Sequence, residues 1–174
     1  MREDVVKNLI MDYERDILGN RYHFFLSDGV ELSFGIEEKH VPHLMGIRKL
    51  PIRQAQNKSA PAIYEMLKDG TIDINHIALH KEAYKKVMNF RHIISILHCG
   101  DAVKVVKRVG SLNSSYLLYL DHQPDEIIHL GIARDDKGWY PESLLVMQRN
   151  VTKYIDNQMP LDILKMEVVH QAEC

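Results

Sequence analysis

The chain has 174 residues, 45% hydrophobic and 26% charged, a size and balance that suit one globular domain over 1–174 and exclude collagen-like, disordered and repeat architectures. Its formal charge of −2 conceals a segregation: residues 43–110 hold 12 basic and 5 acidic groups, whereas 1–42 hold 5 and 9 and 111–174 hold 5 and 10. Two distant cysteines, Cys99 and Cys174, make neither a disulfide scaffold nor a four-cysteine zinc site, and an acidic start without any 18-residue apolar run predicts a cytoplasmic protein that neither is secreted nor enters a membrane.

Residues 4–18 place Val5, Val6, Leu9, Ile10, Tyr13 and Ile17 at spacings of three and four, the apolar face of a helix that Gly19 and Asn20 stop. Two short apolar runs then flank Asp28-Gly29, which predicts a tight hairpin. The following stretch, EEKHVPHLMGIRKLP, is broken by Pro42, Gly46 and Pro51 and reads as a loop or short helix that presents side chains. Residues 59–68 predict a helix capped by Ser59, with Pro61 in its first turn. Two more helical pieces follow, over TIDINHIALH and up to Gly100. From there the period switches to two: VKVVKRVG, SSYLLYLD, EIIHLGIARD and YPESLLVMQR predict an antiparallel meander, and ILKMEVV a last strand. Helices followed by strands give the α+β class.

Ten histidines raise the question of a metal. His76 and His80 have the i, i+4 spacing of one helical face, but Ile77 stands where a metalloprotease has its Glu, and His40 and His43 straddle Pro42. Neither pair has an identifiable third ligand, so no metal and no cofactor are expected, and His76 and His80 read as surface or packing residues. Gly-rich phosphate loops and nucleophile elbows are absent. Cys99 reads as an inert small hydrophobe.

The segment PHLMGIRKLP gathers His43, Arg48, Lys49 and Arg53 at the start of the basic third. A histidine beside fixed cations suits phosphoryl chemistry, because imidazole exchanges a proton near neutral pH while Lys or Arg neutralises charge developing on phosphate. The alternative is a packed loop histidine. The Lys81, Lys85 and Lys86 face reads as solvated helix surface.

Taken together, the hairpin Tyr22 to Phe34, the HLxGxxKL element (His43, Leu44, Gly46, Lys49, Leu50), the helical Phe90, Arg91 and Ile93, and the late Tyr140, Pro141 and Ser143 resemble the phage-associated nuclease family grouped with barnase, EndoU, colicin E/D and RelE toxins, in its fourth phage-type branch. The resemblance spans nearly the whole chain. It implies N-terminal helices packed on a four- to five-stranded antiparallel sheet whose open face carries an RNA-cleaving site. It also implies a metal-independent endoribonuclease of phage or mobile-element origin, toxin-like, cutting RNA by 2′-hydroxyl transesterification. His43, Lys49, Arg91 and Ser143 would be its catalytic residues and Tyr140 would bind substrate; beside the resemblance, Arg48 in the same basic cluster and Lys104, Lys107 and Arg108 in the basic strand VKVVKRVG offer further substrate phosphate contacts. RNA and a neutralising protein are the expected partners. The other reading is an inactive module with the same fold that binds nucleic acid or protein through the basic segment. Tyr140 as a packing residue and Arg91 as a cap or ion-pair partner are the ordinary alternatives.

Overall fold

A computed structural model describes residues 4–121 and 124–170. Cys174 lies outside them. Helix α1 (Val5–Asp16) starts at Asp4, whose carboxylate accepts the Lys7 N–H at 3.2 Å, and buries Val6, Leu9, Ile10 and Tyr13, the face that the spacing predicts. Strands β1 (Asn20–Leu26) and β2 (Glu31–Gly35) form the hairpin with Phe24 opposite Leu32, and Gly29 takes the positive φ of +82° that the turn requires. Asp28 in that turn accepts from Lys104 at 3.1 Å and from the Tyr116 hydroxyl at 3.0 Å, so it pins the hairpin to the rest of the strands. Lys104, expected to touch phosphate, is thereby engaged in a structural ion pair.

A 3₁₀ turn (Glu38–His40) leads into the short helix α2 (Val41–Leu44). Ser59 caps α3 (Ala60–Lys68), as predicted, by accepting the Ala62 N–H at 3.3 Å. Next come α4 (Ile74–Ile77), α5 (Lys81–Asn89), a 3₁₀ turn (Phe90–His92) and α6 (Ile93–Cys99). Because α4 ends at Ile77, His76 and His80 do not share a helical face; His76 bonds to Asp73 at 2.9 Å while His80 precedes α5.

The meander is present as β3 (Asp101–Lys104), β4 (Tyr116–Leu120), β5 (Glu126–Asp135) and β6 (Gly138–Gln148), followed by β7 (Met159–Leu161) and β8 (Ile163–His170). The strands form two antiparallel sheets, β2-β1-β8 and β6-β5-β4-β3-β7, rather than the single sheet expected. The reason is long-range pairing: β8 returns to the free edge of β1, with Tyr22 opposite Val168. Strand β3 is also shorter than VKVVKRVG suggests, because the Val106 and Lys107 N–H groups donate to the Gln158 side chain instead of to a strand. One face of the larger sheet joins a continuous hydrophobic core with the helices and the smaller sheet. The other face is not open: Val103, Leu117, Ile127 and His129 on it are at most 2% exposed. No described helix is long and apolar enough to cross a membrane.

Candidate active site

The groove lies at the sheet edge, where β6 meets α2 and α5. Helix α2 buries Val41, Pro42 and Leu44, which leaves His43 half-buried at the groove wall. Gly46 turns the chain with φ +73°, and a side chain there would press on Lys86, its Cβ lying 3.1 Å from the lysine Cδ. Glycine is thus needed twice, for the turn and for the passage of Lys86 off α5 into the groove.

The opposite wall is β6. Gly131 of β5 pairs with Ser143 and the next residue, Ile132, with Pro141, so Glu142 is the extra residue of a β-bulge. Bulges re-aim side chains, and this one sends Glu142 into the groove, where its Oε2 accepts the Ser114 hydroxyl at 2.5 Å. A side chain on Gly131 would collide with the Ser114 and Ser143 hydroxyls. Ser143 Oγ is shielded from solvent and has no hydrogen-bond partner among the described residues.

Two cavities, of about 770 and 740 Å³, share His43, Arg48 and Glu142 and are therefore two lobes of one groove. The first lobe adds Lys49, Lys86, His80 and Ser143. The second adds Arg21, Lys39, His40, Trp139 and Tyr140. His40 lies parallel to Tyr140, with ring centroids 6.5 Å apart and planes 17° apart. Its Nδ1 accepts the Glu37 N–H at 3.0 Å, which requires that nitrogen to be unprotonated.

The electrostatics of the first lobe are mutual. Burial, reinforced by the Lys86, Lys49 and Arg48 cations, holds His43 below the ordinary imidazole value, and Glu142 opposes the drop. Burial likewise lowers the Lys86 ammonium; Glu82 and Glu142 oppose and Lys49 adds to the effect. Near neutral pH the imidazole is a free base beside an ammonium whose hold on its proton is weakened.

Of the eight residues expected at a site, five line the groove: His43, Arg48, Lys49, Ser143 and Tyr140. Arg91 does not. It is exposed on the 3₁₀ turn and borders a separate cavity of about 170 Å³ with Asp12, Arg15 and Asp16 of α1. Five residues of helix turn a side chain by about 140°, so Lys86 and Arg91 face different neighbours. Lys107 and Arg108 are exposed on the β3–β4 connection and line neither lobe, although Ser111, Leu112 and Asn113 just beyond them do. Lys86 and Glu142 are the residues that sequence reasoning missed. Lys86 looks like one of three surface lysines, and a bulge leaves no mark in a strand pattern. Gly46 carried the only signal for Lys86, as a glycine where a backbone must be approached closely. Among the described residues no group of three or more His, Cys, Asp and Glu side chains is placed to hold a metal ion.

Beneath the first lobe, His129 pairs with Leu145 across the strands and packs between Tyr119 and Tyr154, with ring centroids 5.8 and 5.6 Å away. It is 1% exposed and neither ring nitrogen has a hydrogen-bond partner among the described residues; the Leu145 backbone lies near enough to favour the protonated ring slightly, but outside bonding geometry. Burial pushes its pKa from 6.5 down to about 4. The unfolded chain binds this proton first as pH falls, so the contribution to stability is complete above about pH 6.5 and is lost progressively toward pH 4. Denaturant titrations of the wild type should lose about 2 kcal/mol between pH 7.5 and pH 5 from this group alone, and His129→Leu should remove that loss. Equal pH dependence in the two proteins would contradict the assignment.

A cationic groove with a half-buried imidazole, a depressed lysine and an aromatic second lobe is suited to a phosphodiester flanked by an unstacked base. The family model described as phage-Barnase-EndoU-ColicinE5/D-RelE like nuclease4 matches residues 5–173, and the chain belongs to that family. Searches of curated proteins and of solved structures gave no match.

Proposed function

We propose that this nuclease is a metal-independent endoribonuclease that cleaves single-stranded RNA by attack of the ribose 2′-hydroxyl on the adjacent phosphate. The observation that carries the reading is the meeting of His43 and Lys86 in one groove, each with its pKa lowered. Neutral His43 takes the 2′-hydroxyl proton as the oxygen attacks phosphorus. Lys86 gives its proton to the departing 5′-oxygen, which leaves a 2′,3′-cyclic phosphate and a free 5′-hydroxyl. Arg48 and Lys49 neutralise the charge that builds on the phosphate oxygens. Glu142, held by Ser114, stabilises the imidazolium that His43 becomes. In the second lobe Tyr140, with His40 and Trp139, offers an aromatic wall on which an unpaired base stacks.

The requirement for a 2′-hydroxyl gives the test. An oligoribonucleotide should be cut to a 2′,3′-cyclic phosphate in the presence of chelator, and a single 2′-deoxy substitution should block cleavage at that position. Products with a free 3′-hydroxyl, equal cleavage of DNA, or salt-sensitive RNA binding without any cleavage would each overturn the reading.

A further inference from the structure

The smaller sheet leaves one long edge bare. Strand β2 lies against β6, and the far strand of the larger sheet, β7, is only three residues long with Pro160 at its centre, a protected edge. Strand β8 is longer, eight residues without proline, and among the described residues it pairs on one side only, with Leu164 68% and Val169 50% exposed. Ile163, Met166 and Val168 pack against the core from the same strand, while Lys165, Glu167 and Val169 point to the other face.

The sequence of this edge is complementary to itself. In an antiparallel pair of two β8 strands centred on Met166, Lys165 of one copy faces Glu167 of the other; Leu164, the extra residue where β8 bulges against β1, marks the end of the regular pairing. Sliding the pair by one residue sets the charged side chains against apolar ones. Sliding it by two sets Lys165 against Lys165 or Glu167 against Glu167. Opposite charges placed directly across an antiparallel pair stabilise it and like charges destabilise it, so one register is selected. Within one copy Lys165 and Glu167 already lie on the same face, 2.5 Å apart, and pairing would join two such couples into a ring of four alternating charges.

We propose that β8 is the contact edge of a symmetric dimer, in which two copies of this chain join their smaller sheets as β2-β1-β8 followed by β8-β1-β2 of the second copy, centred on Met166. A twofold axis places the same strand on both sides, as an isologous contact demands. The groove is lined mainly from β2, β6 and the segment around His40 and His43, and reaches β1 at Arg21. The proposal is independent of the reaction that the groove performs.

Light scattering and sedimentation from micromolar to millimolar concentration test it. The wild type should approach twice its 20.2 kDa monomer mass. Lys165→Glu and Glu167→Lys should each weaken association about tenfold or more, because two attractive cross-pairs become repulsive, and the double exchange should restore it. Circular dichroism identifies any variant that fails to fold. As a measurement of register, Met166→Cys in a background of Cys99→Ser and Cys174→Ser should cross-link to itself under mild oxidation, whereas Lys165→Cys in that background should not. A monomer at every concentration overturns the proposal. So does a dimer whose affinity ignores the charge exchanges, a dimer that fails to cross-link through residue 166, or an edge occupied only by an extended segment of a different protein.

Discussion

Replacing His43 with alanine is expected to lower kcat/KM for RNA cleavage by about 10²–10⁴-fold, the usual worth of a positioned general base. The loss should fall on kcat, with KM little changed, because Arg48, Lys49 and Lys86 still attract the phosphate backbone when the imidazole is gone. Thermal stability should change little: His43 is half-buried at the groove wall, while α2 is anchored by the buried Val41, Pro42 and Leu44. Steady-state kinetics beside a melting curve separate the two effects. Wild-type activity in His43→Ala would remove His43 from the chemistry.

Lys86→Met should cost about 10²–10³-fold in kcat, since methionine keeps the stem that packs on Gly46 and removes only the proton donor. A second consequence fixes the role further. Lys86 holds the His43 pKa down, so removing its charge must raise that pKa and move the acid limb of the rate profile to higher pH, since the base must be neutral to act. Lys86→Arg separates charge from proton transfer: guanidinium keeps the acid limb in place but does not release a proton in this range, so kcat stays low. A rate profile recorded for the three proteins decides the matter. If arginine restores kcat, Lys86 serves as a clamp and the leaving-group proton comes from elsewhere.

These predictions rest on residues that differ in how they could be found. His43, Arg48 and Lys49 are adjacent in sequence, and their chemistry is visible as a histidine among cations in a segment broken by Gly and Pro. Ser143 and Tyr140 could be named from the family resemblance alone, since nothing in a strand pattern says which side of β6 faces a groove. Lys86 was hidden because a lysine on an amphipathic helix looks the same whether water or another lysine's field lies beyond it. Glu142 was hidden because the bulge that aims it depends on Gly131 in a different strand. Arg91 shows the converse. A 3₁₀ turn between α5 and α6 and the approach of α1 decide where that guanidinium goes, and both lie beyond what helical spacing records.

What the sequence by itself determined was local. Ser59 as a cap, Asp28-Gly29 as a turn, the apolar stripe of α1 and the order of the meander all follow from interactions within a few residues of one another, where propensity and periodicity act directly. The basic middle third was equally plain, and its His43, Arg48, Lys49 and Lys86 now line one groove. Only the tertiary structure decided that β8 leaves the meander to pair with β1, that the second face of the large sheet is covered over His129, and that Lys86 and Glu142 join His43. Each of those outcomes depends on strand pairing and burial between residues far apart in the chain, and both pKa depression and bulge geometry arise only once such distant groups share a desolvated space.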